Sequence, residues 1–418
     1  MKPKVDEQTA ISADNRRQHM RYPKIIISIA AVASFALVAA VQAATSGVTA
    51  SEIKFGETMP YSGPASAFAG AGRVHAAYFK MLNDKGGIDG RKLDLISLDD
   101  AYSPPKTLEQ TRKMVEREGV AFIFGSLGTT PNRAIAKYLN KRGVPQLLIG
   151  TTATGFADPK SQPWTLGSMP TGEIEAQIYA KYILQTKPNA KIGVLYANDD
   201  VGATYLAALK EGLGDKAKNL IVAEASYELT DASVDSQIIA LKAKGADVLF
   251  DTAHPKFVVQ AIRKVSDLEW KPLHIVVNTS SSIGMTLQPA GLDRSTGIVS
   301  AQYLKDPSDP QWADDPAMKQ WLDFMKQYDP QGNTKDYMMV LATTQAQLLE
   351  HILKTAGTDL SRENIMRQAL SIKDLQMPLL LPGVTINTST ADYHPIEQMQ
   401  MMRFDGTKWQ LFGDVLSR

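Results

Sequence analysis

Short apolar runs bounded by Gly, Pro or Asp recur along the chain and alternate with longer stretches whose apolar positions fall three and four residues apart. The clearest example is 120–156. Residues 120–124 and 146–149 are uniformly apolar or nearly so, as strands covered on both faces of a parallel sheet must be. The segment between them reads as a helix, with Thr130 expected as N-cap, Pro131 at the first helical position and Lys141, Arg142 and Gly143 at its end. The same rhythm predicts strands at 51–60, 92–98, 191–196, 220–227, 247–251, 273–277 and 298–303. Helices are predicted at 67–83, 173–185, 203–213, 234–244, 256–267, 316–328 and 340–354, another begins at Ser361, and 398–404 with 408–412 form a hairpin around Asp405 and Gly406. Strands alternating with helices over this length imply an α/β protein with parallel sheets.

In open parallel sheets, ligands bind beyond the carboxyl ends of the strands. Two Thr-rich turns lie at such ends, Leu127, Gly128, Thr129, Thr130 and Thr151, Thr152, Ala153. With the free amides of the helix between them and no Lys or Arg close by, they suit a carboxylate or another small polar group better than a polyphosphate. His254 follows another strand; without a second His at metal-ligating spacing it reads as a hydrogen-bonded loop residue. Asp99 and Asp100 read as a solvated loop or a helix cap, and the Gly70, Gly72 pair as close helix packing, since His75 stands where a dinucleotide fingerprint needs its third glycine.

Composition narrows the class. The 418 residues are 44% hydrophobic and 21% charged, enough for two or three domains. Arg16, Arg17, Arg21 and Lys24 precede the apolar run 25–41, and Val41 and Ala43 supply small residues before a cut, so 1–43 is expected to be a signal peptide cleaved near Ala43, with Met20 as an alternative start. Six of the 45 basic and three of the 44 acidic residues lie in that segment, which leaves 39 against 41 and no basic excess for nucleic acid. There is no Cys, which excludes disulfides and thiolate metal sites. No cofactor motif is present, and neither is the Gly-x-Ser-x-Gly or His-Glu-x-x-His pattern of a hydrolase.

Across its expected exported length the chain resembles the periplasmic substrate-binding proteins of branched-chain amino-acid-type ABC transporters, the leucine/isoleucine/valine-binding family. The resemblance is carried by Pro60, Tyr61, Ser62, Gly63 and Pro64, by 82–90, Asp99 with Asp100, 125–130, 180–184 and His254 with Pro255. It implies two doubly wound Rossmann-like lobes joined by three crossing strands, 44–168 plus 302–393 and 169–301 plus 394–418, in a periplasmic monomer that closes on a small-molecule ligand and delivers it to membrane permease subunits. A ligand-sensing subunit for a membrane receptor would use the same cleft. By motif position, Leu127 to Thr130 and Thr151 to Ala153 would hold a carboxylate, with Tyr61, Phe68, Val201, Ala253, His254, Asn278 and Thr279 as the other ligand contacts. Asn278 stands where amino-acid binders carry an acid, and Val201 and Ala253 where they carry Tyr. A buried ammonium without a counter-ion costs several kcal/mol. A carboxylate lacking an α-amino group, or an amide, is therefore expected, and Asp200, Asp251 and Asp336 are the first candidates if an amine is bound after all.

Overall fold

The structure, a computed structural model, describes residues 46–417, so the predicted signal peptide lies outside the described residues. The first sheet contains β1 (Glu52–Met59), β2 (Lys92–Asp99), β3 (Ile123–Phe124), β4 (Gln146–Ile149) and β5 (Thr165–Gly167), all parallel, in the order β2-β1-β3-β4-β5. Around it lie α1 (Gly70–Asp84), α2 (Pro104–Lys113) and α3 (Thr129–Arg142). After β5 the chain enters α4 (Gly172–Thr186), β6 (Ile192–Ala197), α5 (Asp200–Leu213), β7 (Ile221–Tyr227), α6 (Asp235–Ala243), β8 (Val248–Asp251), α7 (Pro255–Asp267), β9 (Leu273–Val276) and β10 (Val299–Gln302). It then returns to the first lobe, where α8 (Pro316–Tyr328) and α9 (Tyr337–Ala356) pack on α1 and α10 (Arg362–Ala369) packs on α9. Strands β11 (Gln398–Phe404) and β12 (Trp409–Ser417) complete the second sheet, β12-β11-β10-β9-β8-β6-β7, as an antiparallel hairpin at its edge.

Each sheet reverses strand order once, between β1 and β3 and between β6 and β8. Loops leaving neighbouring strands there diverge to opposite faces and leave a crevice. In the first lobe the sheet is held by Phe55, Phe79, Phe122 and Phe124; the ring centroids of Phe55 lie 5.0 Å from those of both Phe79 and Phe122. The aromatic positions of β1 and β3 thus become the contact layer for α1.

Two local expectations are corrected. Helix α3 begins at Thr129, with Gly128 (φ +101°) before it, so Thr130 is not its cap and Pro131 is its third residue. The positive φ of Gly128 turns the chain sharply enough to start the helix one residue early. Helix α2 was not anticipated: Ser103 precedes Pro104 at its start, but its buried face is Thr107 and Thr111, which carry no hydropathy signal.

On β6, helix and strand meet so closely that a Cβ on Gly202 would lie 2.0 Å from the Ala197 carbonyl oxygen. Gly202→Ala is expected to cost about 2 kcal/mol in urea unfolding through displacement of the α5 start; an unchanged midpoint would contradict this packing.

Candidate ligand-binding cleft

The crevices of the two sheets face one another across a cavity of about 300 Å³. One wall comes from the first lobe: Phe68 after β1, Tyr102 after β2, and Asp336, Tyr337 and Met338 at the start of α9. The other comes from the second lobe: Leu229 after β7, His254 to Phe257 at the start of α7, and Thr279, Ser282 and Met285 after β9. Aromatic and aliphatic side chains form most of this lining, and few polar groups interrupt it, the usual composition of a small-molecule site.

The polar groups are specifically held. Asp336 accepts the Met338 N–H at 2.9 Å, and burial pushes its carboxyl up from the usual range. His254 Nε2 stands 3.6 Å from Asp199 Oδ2, and the His254 backbone N–H donates to the Tyr227 hydroxyl at 2.9 Å. Asp199 caps α5 by accepting from the Val201 and Gly202 amides. Burial pushes the Asp199 carboxyl up, but the His254 ring and these amides outweigh it and hold it below its usual range. Lys256 Nζ lies 4.7 Å from the Phe257 ring centroid.

Tyr102 crosses the start of α3. Ala101 and Tyr102 both have left-handed backbones (φ +51° and +58°), fastened by Asp99 Oδ1, which accepts the Ala101 N–H at 3.0 Å, and Asp100 Oδ1, which accepts the Tyr102 N–H at 2.9 Å. The ring lies directly on Gly128: a Cβ there would be 2.3 Å from Tyr102 Cε2. Its phenol oxygen faces the Thr129 backbone N–H, and burial together with Asp199 pushes the phenol up to about 12.

Of the residues singled out from the sequence, Phe68, His254 and Thr279 line the cavity. Thr129 and Thr151 bond hydroxyl to hydroxyl at 2.7 Å, and Thr151 Oγ1 also accepts the Ala153 N–H at 3.2 Å. Leu127 pairs with Gly150 as a parallel bridge, Thr130 is exposed and Val201 is half-buried. The Thr152 carbonyl accepts the Gly172 N–H at 2.7 Å, at the first crossing between lobes. Tyr61 turns its hydroxyl to Ser97 Oγ at 2.5 Å. Ala253 is buried, and its carbonyl accepts Ser280 Oγ at 2.7 Å. Asn278 is fully buried and spends both its backbone N–H and its Nδ2 on Glu175; its Oδ1 is buried without a hydrogen-bond partner, and the residue is not part of the cavity lining. The turn at the start of α3 also has a cation nearby, contrary to the expectation: Arg133, one turn into the helix, pairs with Asp200 across the cleft at 3.2 Å. Of the three acids named as candidates for an amine, Asp336 lines the cavity, Asp200 is on Arg133, and Asp251 is buried on His274 at 3.1 Å.

Away from the cleft, Asp392, His394 and Glu397 bring ligand atoms within 4.8 Å of one another, with His394 Nδ1 and Asp392 Oδ1 at 2.9 Å. Among the described residues no helix is long and apolar enough to cross a membrane.

Two facing α/β lobes with a small, mostly apolar cavity between them define a two-lobed binding protein. The chain belongs to the periplasmic binding protein family, which it matches over residues 52–408. It is 25% identical over 386 residues to Leu/Ile/Val-binding protein homolog 7 of Brucella abortus (strain 2308), covering 89% of this chain and 92% of that protein. In fold it is similar to a branched chain amino acid ABC transporter protein from Thermus thermophilus with bound valine (TM-score 0.79, 14% identity, 89% and 98% of the two chains). A fatty acid ABC transporter substrate-binding protein from Thermomonospora curvata is similar too (TM-score 0.74, 18% identity, 89% and 94% of the two chains).

Proposed function

We propose that this chain is the non-enzymatic solute-binding component of an ABC importer, exported to the periplasm after cleavage near Ala43 and acting as a monomer. It captures a small solute with an apolar or aromatic body and one polar end, a carboxylate or an amide, and presents it to the membrane permease. The lobes are assigned as 44–168 plus 302–393 and 169–301 plus 394–418. The observation that carries this reading is the shared cavity, whose apolar walls, Phe68 and Tyr337 on one side and Phe257 and Leu229 on the other, come from opposite lobes. A solute that touches both walls only when they are together lends its binding free energy to the closed state and to no other. The low volume of the cavity favours molecules of amino-acid size or slightly larger.

A thermal-shift screen of amino acids, aromatic acids, keto acids and amides on the exported chain tests this. A true solute at about a hundred times its Kd adds about 2.7 kcal/mol to the folded state, which is read as a rise of several degrees in the unfolding midpoint. Failure of every class to shift it would refute solute capture.

A further inference from the structure

The start of α3 is the natural anion position of this cleft, since the amides of the first helical turn have no partner within the helix and α3 has no side-chain cap. In this chain a side chain is already there. The Tyr102 ring covers Gly128, its phenol oxygen faces the Thr129 N–H, and the Asp199 and Asp200 carboxylates of the other lobe stand close enough to act on that phenol. Two features show that the placement is built in. Ala101 and Tyr102 are held in left-handed conformations by two aspartates, a costly backbone that carries the ring to this position. Position 128 is a glycine, and a Cβ there would collide with that ring.

We propose that Tyr102 is a specificity-determining residue which fills the anion position at the start of α3, so that the cleft selects solutes whose polar end is a neutral amide over the corresponding carboxylates. This rests on the solute-binding reading above. A phenol hydroxyl both accepts and donates, so it satisfies a helix amide and still serves a neutral amide. A carboxylate only accepts, so it has to displace the phenol to reach that helix amide and has no N–H of its own to offer the phenol oxygen, whereas Asp199 and Asp200 are already held by His254 at 3.6 Å and Arg133 at 3.2 Å.

The test is calorimetry on the exported chain with two matched pairs, 4-methylvaleramide against 4-methylvalerate and 3-phenylpropanamide against 3-phenylpropionate. In the wild type, at least one amide is expected to bind about tenfold or more tighter than its acid. Tyr102→Gly, which removes the ring and suits the left-handed backbone, is expected to improve acid binding by about tenfold or more and to erase the preference. Tyr102→Phe keeps the ring in the anion position and is expected to leave the acids excluded, which separates occupancy of the site from loss of one hydroxyl. Acids that bind the wild type as well as their amides overturn the proposal, as does a Gly variant with no gain for either acid. In that event, acids that still stabilise the wild type in the thermal screen leave solute capture standing; silence of every class there refutes solute capture itself.

Discussion

Glu175→Ala is expected to cost about 3–5 kcal/mol of stability, since it strands several buried donors at about 1–3 kcal/mol each, and to weaken any solute that uses the turn after β9. Glu175 is fully buried in α4. Its Oε1 accepts from the Tyr179 hydroxyl at 2.6 Å and from the Asn278 N–H at 2.6 Å, and its Oε2 accepts from the Tyr205 hydroxyl at 2.5 Å and from Asn278 Nδ2. Burial pushes the carboxyl up, against the pull of these four donors. Tyr179 retains other partners, among them the Val276 carbonyl and the Ala301 N–H, but both Asn278 donors lose theirs, in a place water does not reach. Because the same turn carries Thr279 and Ser282 to the cavity, the lost bonds unfasten part of the binding wall. Glu175→Gln keeps the shape and one acceptor, and is expected to cost about half as much. Urea unfolding followed by far-UV dichroism reads both variants; a loss below 1 kcal/mol for the alanine variant would show that the network is not what holds this turn.

The difference in stability between the wild type and Asp306→Asn is expected to change by about 2.4 kcal/mol between pH 4 and pH 7. Asp306 lies just after β10, where the chain returns to the first lobe, and its carboxylate accepts the Ile283 N–H at 2.7 Å and the Ser308 N–H at 2.8 Å. Burial outweighs those bonds and raises the carboxyl from its ordinary 3.8 to about 6. The sign follows from proton counting. Between these two values the folded chain keeps a proton that the unfolded chain has released, so the Asp306 contribution is greatest below pH 4 and is lost as pH rises through 6. The asparagine variant has no such group, so urea titrations at pH 4, 5, 6 and 7 should give a difference that moves against the wild type through this window and is level above it. A constant difference would mean that Asp306 is ionised at all these pH values.

Much of the fold was legible without coordinates because it depends on local pattern. The runs at 146–149 and 316–328 match their elements end to end, Gly143 terminates α3 in the left-handed conformation, and the hairpin around Asp405 and Gly406 forms. Helix α2 escaped because threonines, not aliphatic residues, pack beneath it. The strand-end turns were in the correct places, yet which residues in them face the ligand cavity was not visible. A strand end names a neighbourhood of three or four residues, and a rotation of one residue turns a side chain from cavity to core, as Asn278 against Thr279 illustrates.

What the sequence determined by itself was the α/β alternation, the family, and the two Thr-rich turns beside a helix start, since hydropathy period, turn chemistry and motif order are properties of neighbours along the chain. Only the tertiary structure decided what meets at the cleft. Tyr102 reaches Gly128 from 26 positions away, Asp336 arrives from the start of α9, and Asn278 is drawn inward by Glu175, 103 positions earlier. Such pairings depend on how the lobes fold back on one another, and no local spacing encodes them.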